Sequence, residues 1–182
     1  MATVLVPLAE GFEELEAITI TDLLTRAEIK VVTAGLLPGL VKASRGAIVQ
    51  PSMALDEALK HDYDMVVLPG GQPGATHLEN DARIIKLVQD MAAQGKYTTA
   101  ICAAPKVLAT AGVLANKSAS CYPGTFTSND FEAVTVTGNA VEDAGLVVTS
   151  RGPGTAMDFT LTLIEKLKGK AVRDKVETGL VR

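Results

Sequence analysis

YTTAICAAPKVLATAGVL, residues 97–114, decides the fold. Thr98 to Ile101 reads as a strand, a short β-branched and apolar run. Pro105 follows closely and opens a helix-forming run that the pattern carries from Ala104 to Leu114. Proline is tolerated in the first helical turn, where its missing N–H has no helical partner. Cys102 therefore stands at a strand-to-helix junction, and small Ala103 and Ala104 permit a sharp turn there. This is the arrangement of a nucleophile elbow with a thiol in place of a hydroxyl.

That position favours a thiolate. Free N–H groups at a helix start, with the helix dipole, stabilise an anion and lower a thiol pKa. Sites in open α/β sheets also lie beyond the carboxyl ends of the strands. The plain alternative is a buried core cysteine, and from this segment alone the two readings weigh equally. Cys121 follows SerAlaSer and has no helix start behind it. It reads as a structural or partly exposed thiol.

Outward from this stretch, strands alternate with helices. Residues 3–6 form a first strand, and Glu14 to Ala27 carries helical spacing through Leu15, Ile18, Ile20, Leu23 and Leu24. IKVVTAG from Ile29 is a second strand, and residues 36–54 read as a hairpin or edge excursion. Asp56 to His61 reads as a short helix, Met65 to Leu68 as a buried strand. Asn80 is placed to cap a helix ending near Gly95. Residues 134–150 hold two alternating strands. Thr155 and Asp158 resemble a capping box, and a last helix starts near Lys170. Strands separated by helices with short connections imply a mostly parallel sheet covered on both faces. One α/β sandwich domain over 1–182 is the expectation.

The whole chain agrees with that class. It has 182 residues, 47% hydrophobic and 21% charged, which suits a globular domain rather than a disordered one. The net charge of −4 argues against nucleic acid or an anionic membrane as partner. No stretch is apolar for long enough to span a bilayer. The start, MATVLVPLAEGFEE, lacks a basic segment and reads as a strand rather than a signal peptide, so a cytoplasmic location is expected. Two cysteines are too few for a disulfide framework.

GluGlyPheGluGluLeuGlu, residues 10–16, holds the next candidates. Glu13 and Glu14 suit plain dipole partners at a helix start. Glu16 lines up in helical steps with Ile20, Leu23, Leu24 and Ala27. A carboxyl on that apolar stripe is desolvated, which raises its pKa and favours a neutral hydrogen-bond donor. Glu13 shares part of this face. Gly70 and Gly71, after a buried strand, read as a turn or as an exposed N–H able to hold an oxyanion. SerArgGlyProGlyThr at 150–155 lacks the Lys-Ser/Thr of a phosphate loop and reads as a tight strand-to-helix joint. His61 and His77 have no metal-ligand companion at useful spacing, so no metal site is expected.

Five segments carry a family resemblance: GFEELEA (11–17), SR (44–45), LPGG (68–71), AICAAP (100–105) and SRGPGT (150–155). In order and spacing they resemble the DJ-one/ThiJ/PfpI superfamily, in its DJ-one-like branch. The resemblance implies a flavodoxin-like three-layer sandwich, a homodimer and no cofactor. It implies that Cys102 is the reactive thiol and Glu16 a neighbouring protonated carboxyl. It also implies that the N–H groups of Gly71 and Ala103 point at the site. Arginines matching Arg26 and Arg45 lie near the dimer interface in that branch, the second close to the pocket. Many relatives have a histidine where this chain has Tyr122, and here Ala103 rather than histidine follows the nucleophile. Hydrolysis by a Cys–His pair is therefore disfavoured.

Three functions compete. The resemblance implies a glutathione-independent glyoxalase or deglycase acting on reactive 2-oxoaldehydes such as methylglyoxal and glyoxal, or their adducts. The second is a redox sensor or chaperone working through a Cys102 sulfinate. A hydrolase or thiamine-pathway enzyme ranks last, since nothing resembles a phosphate or pyrimidine site.

Overall fold

A computed structural model describes residues 1–131 and 133–182. The first strand, β1 (Thr3–Leu8), leads into helix α1 (Glu14–Arg26) and then β2 (Lys30–Gly35). A small hairpin follows, β3 (Val41–Lys42) and β4 (Ile48–Val49), then β5 (Met53–Ala54), α2 (Leu55–Ala58) and β6 (Met65–Leu68). Next come α3 (Gly74–Asn80), α4 (Ala82–Ala93), β7 (Tyr97–Ile101) and α5 (Pro105–Thr110). The last part holds β8 (Lys117–Ser120), β9 (Val134–Thr137), β10 (Val141–Ala144) and β11 (Val147–Ser150). A 3-10 turn at Pro153–Thr155 leads into α6 (Ala156–Lys168) and α7 (Lys170–Gly179).

The main sheet has seven strands in the order β10-β11-β7-β6-β1-β2-β5. Its pairings are parallel except β10 with β11. Alternate side chains of β1 feed opposite faces: Val4, Val6 and Leu8 join one core cluster, Leu5 the other. The first cluster packs Ile20 and Leu24 of α1 with Phe159 and Ile164 of α6. The second packs Leu55, Leu78, Ile84, Val88 and Leu108 from α2 to α5. Helices thus cover both faces, as the uninterrupted apolar strands require. After β2 and β5 the chain crosses to the other side of β1 to place β6. The sheet therefore changes winding direction between β1 and β6, where such folds open a crevice.

Several sequence expectations change. β1 runs through Pro7 to Leu8. Asn80 ends its own helix, and Asp81 caps α4 by accepting the Arg83 N–H at 2.9 Å. The helix after Cys102 stops at Thr110, because Gly112 takes a left-handed φ of 81° and turns the chain. Residues 134–150 make three strands, and β8, paired with β9, was absent from the sequence reading. Thr155 makes no side-chain cap for α6; its hydroxyl turns back to Gly152. Leu15 and Ile18 lie outside the buried stripe of α1, half exposed at 50% and 51%. Among the described residues no helix is long and apolar enough to cross a membrane.

Candidate active site

The carboxyl ends of β1, β6, β7 and β11 converge on Cys102. Its backbone sits at φ 64°, a left-handed value that is sterically unfavourable for a residue with a Cβ. Neighbouring backbone holds it there. The Cys102 N–H donates to Ser150 O at 3.0 Å, and its carbonyl accepts the Tyr122 N–H at 2.7 Å. Ser150 is itself clamped: its hydroxyl donates to Ala140 O at 2.7 Å and lies 2.7 Å from Thr155 Oγ1. Thr155 Oγ1 also accepts the Gly152 N–H at 3.1 Å. The SRGPGT segment is thus a rigid joint that fixes the elbow, and the elbow read from the sequence is present.

A second joint sits opposite. The loop after β1 packs directly on the loop after β6, with the Glu13 N–H donating to Gly70 O at 2.9 Å. Gly71 has φ 90°, and a Cβ there would lie 2.4 Å from Glu13 N, so no other residue fits without backbone movement.

Glu16 lies beneath the sulfur. It is fully buried, and its Oε2 accepts the Gly70 N–H at 2.8 Å. Its Oε1 is buried with no hydrogen-bond partner. Burial, only partly offset by the Gly70 N–H and Cys102, pushes the carboxyl up to about 7. The helical spacing of α1 thus puts Glu16 on its buried face, beside Ile20, Leu23 and Leu24.

Cys102 is 7% exposed and opens on the pocket. Burial, then the charge of an ionised Glu16 and its hydrogen bond, push the thiol up to about 12; the amides of Gly71 and Ala103 oppose this. This corrects the helix-start argument. Helix α5 begins only at Pro105, and one of the two amides that favour the thiolate belongs to a different loop. Carboxylate and thiolate thus do not coexist near neutrality. Protonation of Glu16 removes the repulsion that raises the thiol.

The pocket has a volume of about 590 Å³. Of the residues singled out in the sequence, Glu13, Arg45, Gly71, Cys102, Ala103 and Tyr122 line it. Glu13 accepts the Ser44 hydroxyl at 3.0 Å. Glu14 accepts the Arg45 N–H at 3.0 Å and the Ala47 N–H at 3.3 Å, so it anchors the β3–β4 hairpin rather than merely facing a dipole. Arg26 is not part of the pocket; it pairs with Asp22 on the surface of α1 at 3.1 Å. Glu16 is likewise absent from the lining and reaches the pocket only through Cys102. The sequence reading missed a wall made by Thr76 and Glu79 of α3 and Lys106 of α5. Cys121 is buried in the core cluster on the other side of the sheet from Cys102.

A sequence model of the DJ-1/PfpI family matches residues 2–166. The chain belongs to this family. DJ-1beta of Drosophila melanogaster is 40% identical over 178 residues, 97% of this chain and 95% of that protein. Its crystal structure superposes with a TM-score of 0.94, covering 99% of this chain and 97% of that one at 38% identity. The glutathione-independent glyoxalase DJR-1.2 of Caenorhabditis elegans is 34% identical over 92% of this chain and 89% of its own length. Oxidised DJ-1 of Toxoplasma gondii superposes with a TM-score of 0.92 at 35% identity, covering 100% of this chain and 98% of that one. The DJ-1 fold and the flavodoxin-like sandwich are thus one and the same architecture here.

Proposed function

We propose that this DJ-1 family protein is a cysteine-dependent, glutathione-independent glyoxalase or deglycase that converts 2-oxoaldehydes to 2-hydroxy acids. The observation that carries the reading is the buried carboxyl of Glu16, with an orphaned oxygen, beside a strained, pocket-facing Cys102. A charge on sulfur, next to the pocket and two amides, is better solvated than one on the fully buried Glu16. Once the pair has lost one proton, the remaining one therefore rests on Glu16, beneath the thiolate, rather than on sulfur.

The chemistry balances without a redox cofactor. The thiolate adds to the aldehyde carbon, and the carbonyl oxygen becomes an alkoxide facing the Gly71 and Ala103 amides. A proton leaves the former aldehyde carbon and one is delivered to the adjacent carbon, which turns the pair into a thioester and an alcohol. Glu16, beneath the sulfur, first gives its own proton to that alkoxide and, now a carboxylate, is the base placed to move the carbon-bound one. Water then cleaves the thioester, releasing the 2-hydroxy acid and the thiol. The relative named as a glyoxalase supports this reading. Cys102→Ser tests it: methylglyoxal consumption should disappear, and wild-type consumption in that variant would end the proposal.

A second reading draws on the oxidised Toxoplasma relative and on the pocket-facing position of Cys102. Two equivalents of peroxide convert the Cys102 thiol to a sulfinate and yield two waters, with protonated Glu16 holding one sulfinate oxygen. Intact-mass and peptide analysis after mild peroxide should find two added oxygens on Cys102 and none on Cys121. Equal oxidation of both would remove this reading. A homodimer is part of the proposal, supported by the exposed Leu15 and Ile18 on α1 and Ile48 on the neighbouring hairpin.

A further inference from the structure

Lys106 shares the pocket with Cys102 but has no part in the chemistry above. It lies in the first turn of α5, and its ammonium stands 3.5 Å from the Glu79 carboxylate of α3. That contact is loose. The shorter bond to Glu79 comes from Thr110, whose hydroxyl donates to Oε1 at 2.8 Å. Glu79 therefore stays anchored if Lys106 turns away, and a partly exposed ion pair of this kind is weak. The other carboxylate in the lining, Glu13, is engaged by the Ser44 hydroxyl. Lys106 is thus a cation that an anion in the pocket can recruit with little loss, on the same rim as the reactive sulfur.

We infer that Lys106 sets the substrate class. Resting on the Cys102 reading, the inference is that the substrate is a short 2-oxoaldehyde with an anionic group, carboxylate or phosphate, at the end away from the aldehyde. The aldehyde meets the sulfur and the anionic tail meets the ammonium. No bond is made to Lys106, and the reaction is the one already described.

The first test does not depend on turnover. Cys102 is alkylated with iodoacetate and with iodoacetamide, and the ratio of the two rates is compared across variants. A unit charge near the sulfur should change the rate of an anionic reagent by roughly three- to tenfold relative to a neutral one. Lys106→Gln is expected to lower the iodoacetate-to-iodoacetamide ratio by that factor, and Lys106→Arg to restore it. An unchanged ratio in Lys106→Gln, or a fall in Arg45→Gln alone, overturns the inference. A merely structural role in tying α5 to α3 would move both rates together and also overturns it. The second test compares kcat/KM for 4,5-dioxopentanoate, its methyl ester and the phosphate ester of hydroxypyruvaldehyde. Preference for carboxylate or phosphate over the neutral ester, lost in Lys106→Gln, supports the inference and names the anion. No preference overturns it. If wild type consumes none of these or methylglyoxal, the glyoxalase reading fails, while the alkylation ratio still decides the role of Lys106.

Discussion

Cys102 and Glu16 meet across Gly70: a methyl group there would lie 2.6 Å from Cys102 Cβ and 2.9 Å from Glu16 Oε2. The same glycine donates its N–H to that carboxyl at 2.8 Å. One missing side chain thus lets an acid on α1 and a thiol after β7 occupy a common space, although they come from distant parts of the chain.

Gly70→Ala should therefore separate the pair. The added methyl would also stand 3.0 Å from Ala103 N, so the elbow must shift. Overpacking of this kind costs about 1–3 kcal/mol. Thermal denaturation should show the loss, and Cys102 alkylation at neutral pH should slow with it.

Burial of Glu16 makes stability depend on pH with a definite sign. Its folded pKa is raised from 4.5 to about 7, so the folded state holds the proton more tightly than the unfolded one. The stabilisation from a neutral Glu16 is complete below about pH 4.5 and is lost as pH rises through 7, a swing of about 3 kcal/mol. Glu16→Gln, neutral throughout, should match wild type near pH 4.5 and gain on it up to pH 7.5. Melting curves across that range should open a gap of roughly 6–12 °C for a chain of this size. The value near 7 marks the first proton lost from the coupled Glu16–Cys102 pair, whichever group supplies it, and the second step, near 12, adds nothing in this window.

The elbow's support can be removed without touching the thiol. Thr155 Oγ1 contacts the Ser150 hydroxyl at 2.7 Å and the Gly152 N–H at 3.1 Å. Thr155→Val leaves those buried groups short of a partner, at a cost of about 1–3 kcal/mol. Melting temperature should fall, and hydrogen exchange at the Cys102 amide, bonded to Ser150 O, should quicken.

Assembly offers another check. Ile18→Glu places a charge on the exposed apolar face of α1. Wild type should sediment as a dimer and the variant as a monomer with unchanged circular dichroism. Two monomers would remove the homodimer from the proposal.

The elbow was legible because its signals are local: a β-branched strand, two alanines and Pro105 in sequence order. Glu16 was legible because helical spacing aligned it with Ile20 and Leu24. The wall carrying Thr76 and Glu79 was not. Gly74, a poor helix former, opens α3 at a place where only a bare backbone fits against Phe12, since a Cβ would lie 2.6 Å from its N. The bond from Cys102 N–H to Ser150 O was equally hidden, since it depends on the parallel register of β11 against β7. The exposure of Leu15 and Ile18 went unread because apolar residues cover two faces of α1. The thiol's response to burial was also missed, because desolvation is a property of the packed site and not of the segment.

The resting place of the shared proton is best measured by titrating thiolate absorbance and Cys102 alkylation against pH in wild type, Glu16→Gln and Glu16→Leu. With the proton on Glu16 and the charge on sulfur, wild type should ionise near neutrality. Leucine, which keeps the burial but donates nothing, should raise the midpoint by at least about one pH unit, with glutamine falling between. A midpoint that stays put or drops in Glu16→Leu would mean the proton sits on sulfur, and the proposed nucleophile would not form.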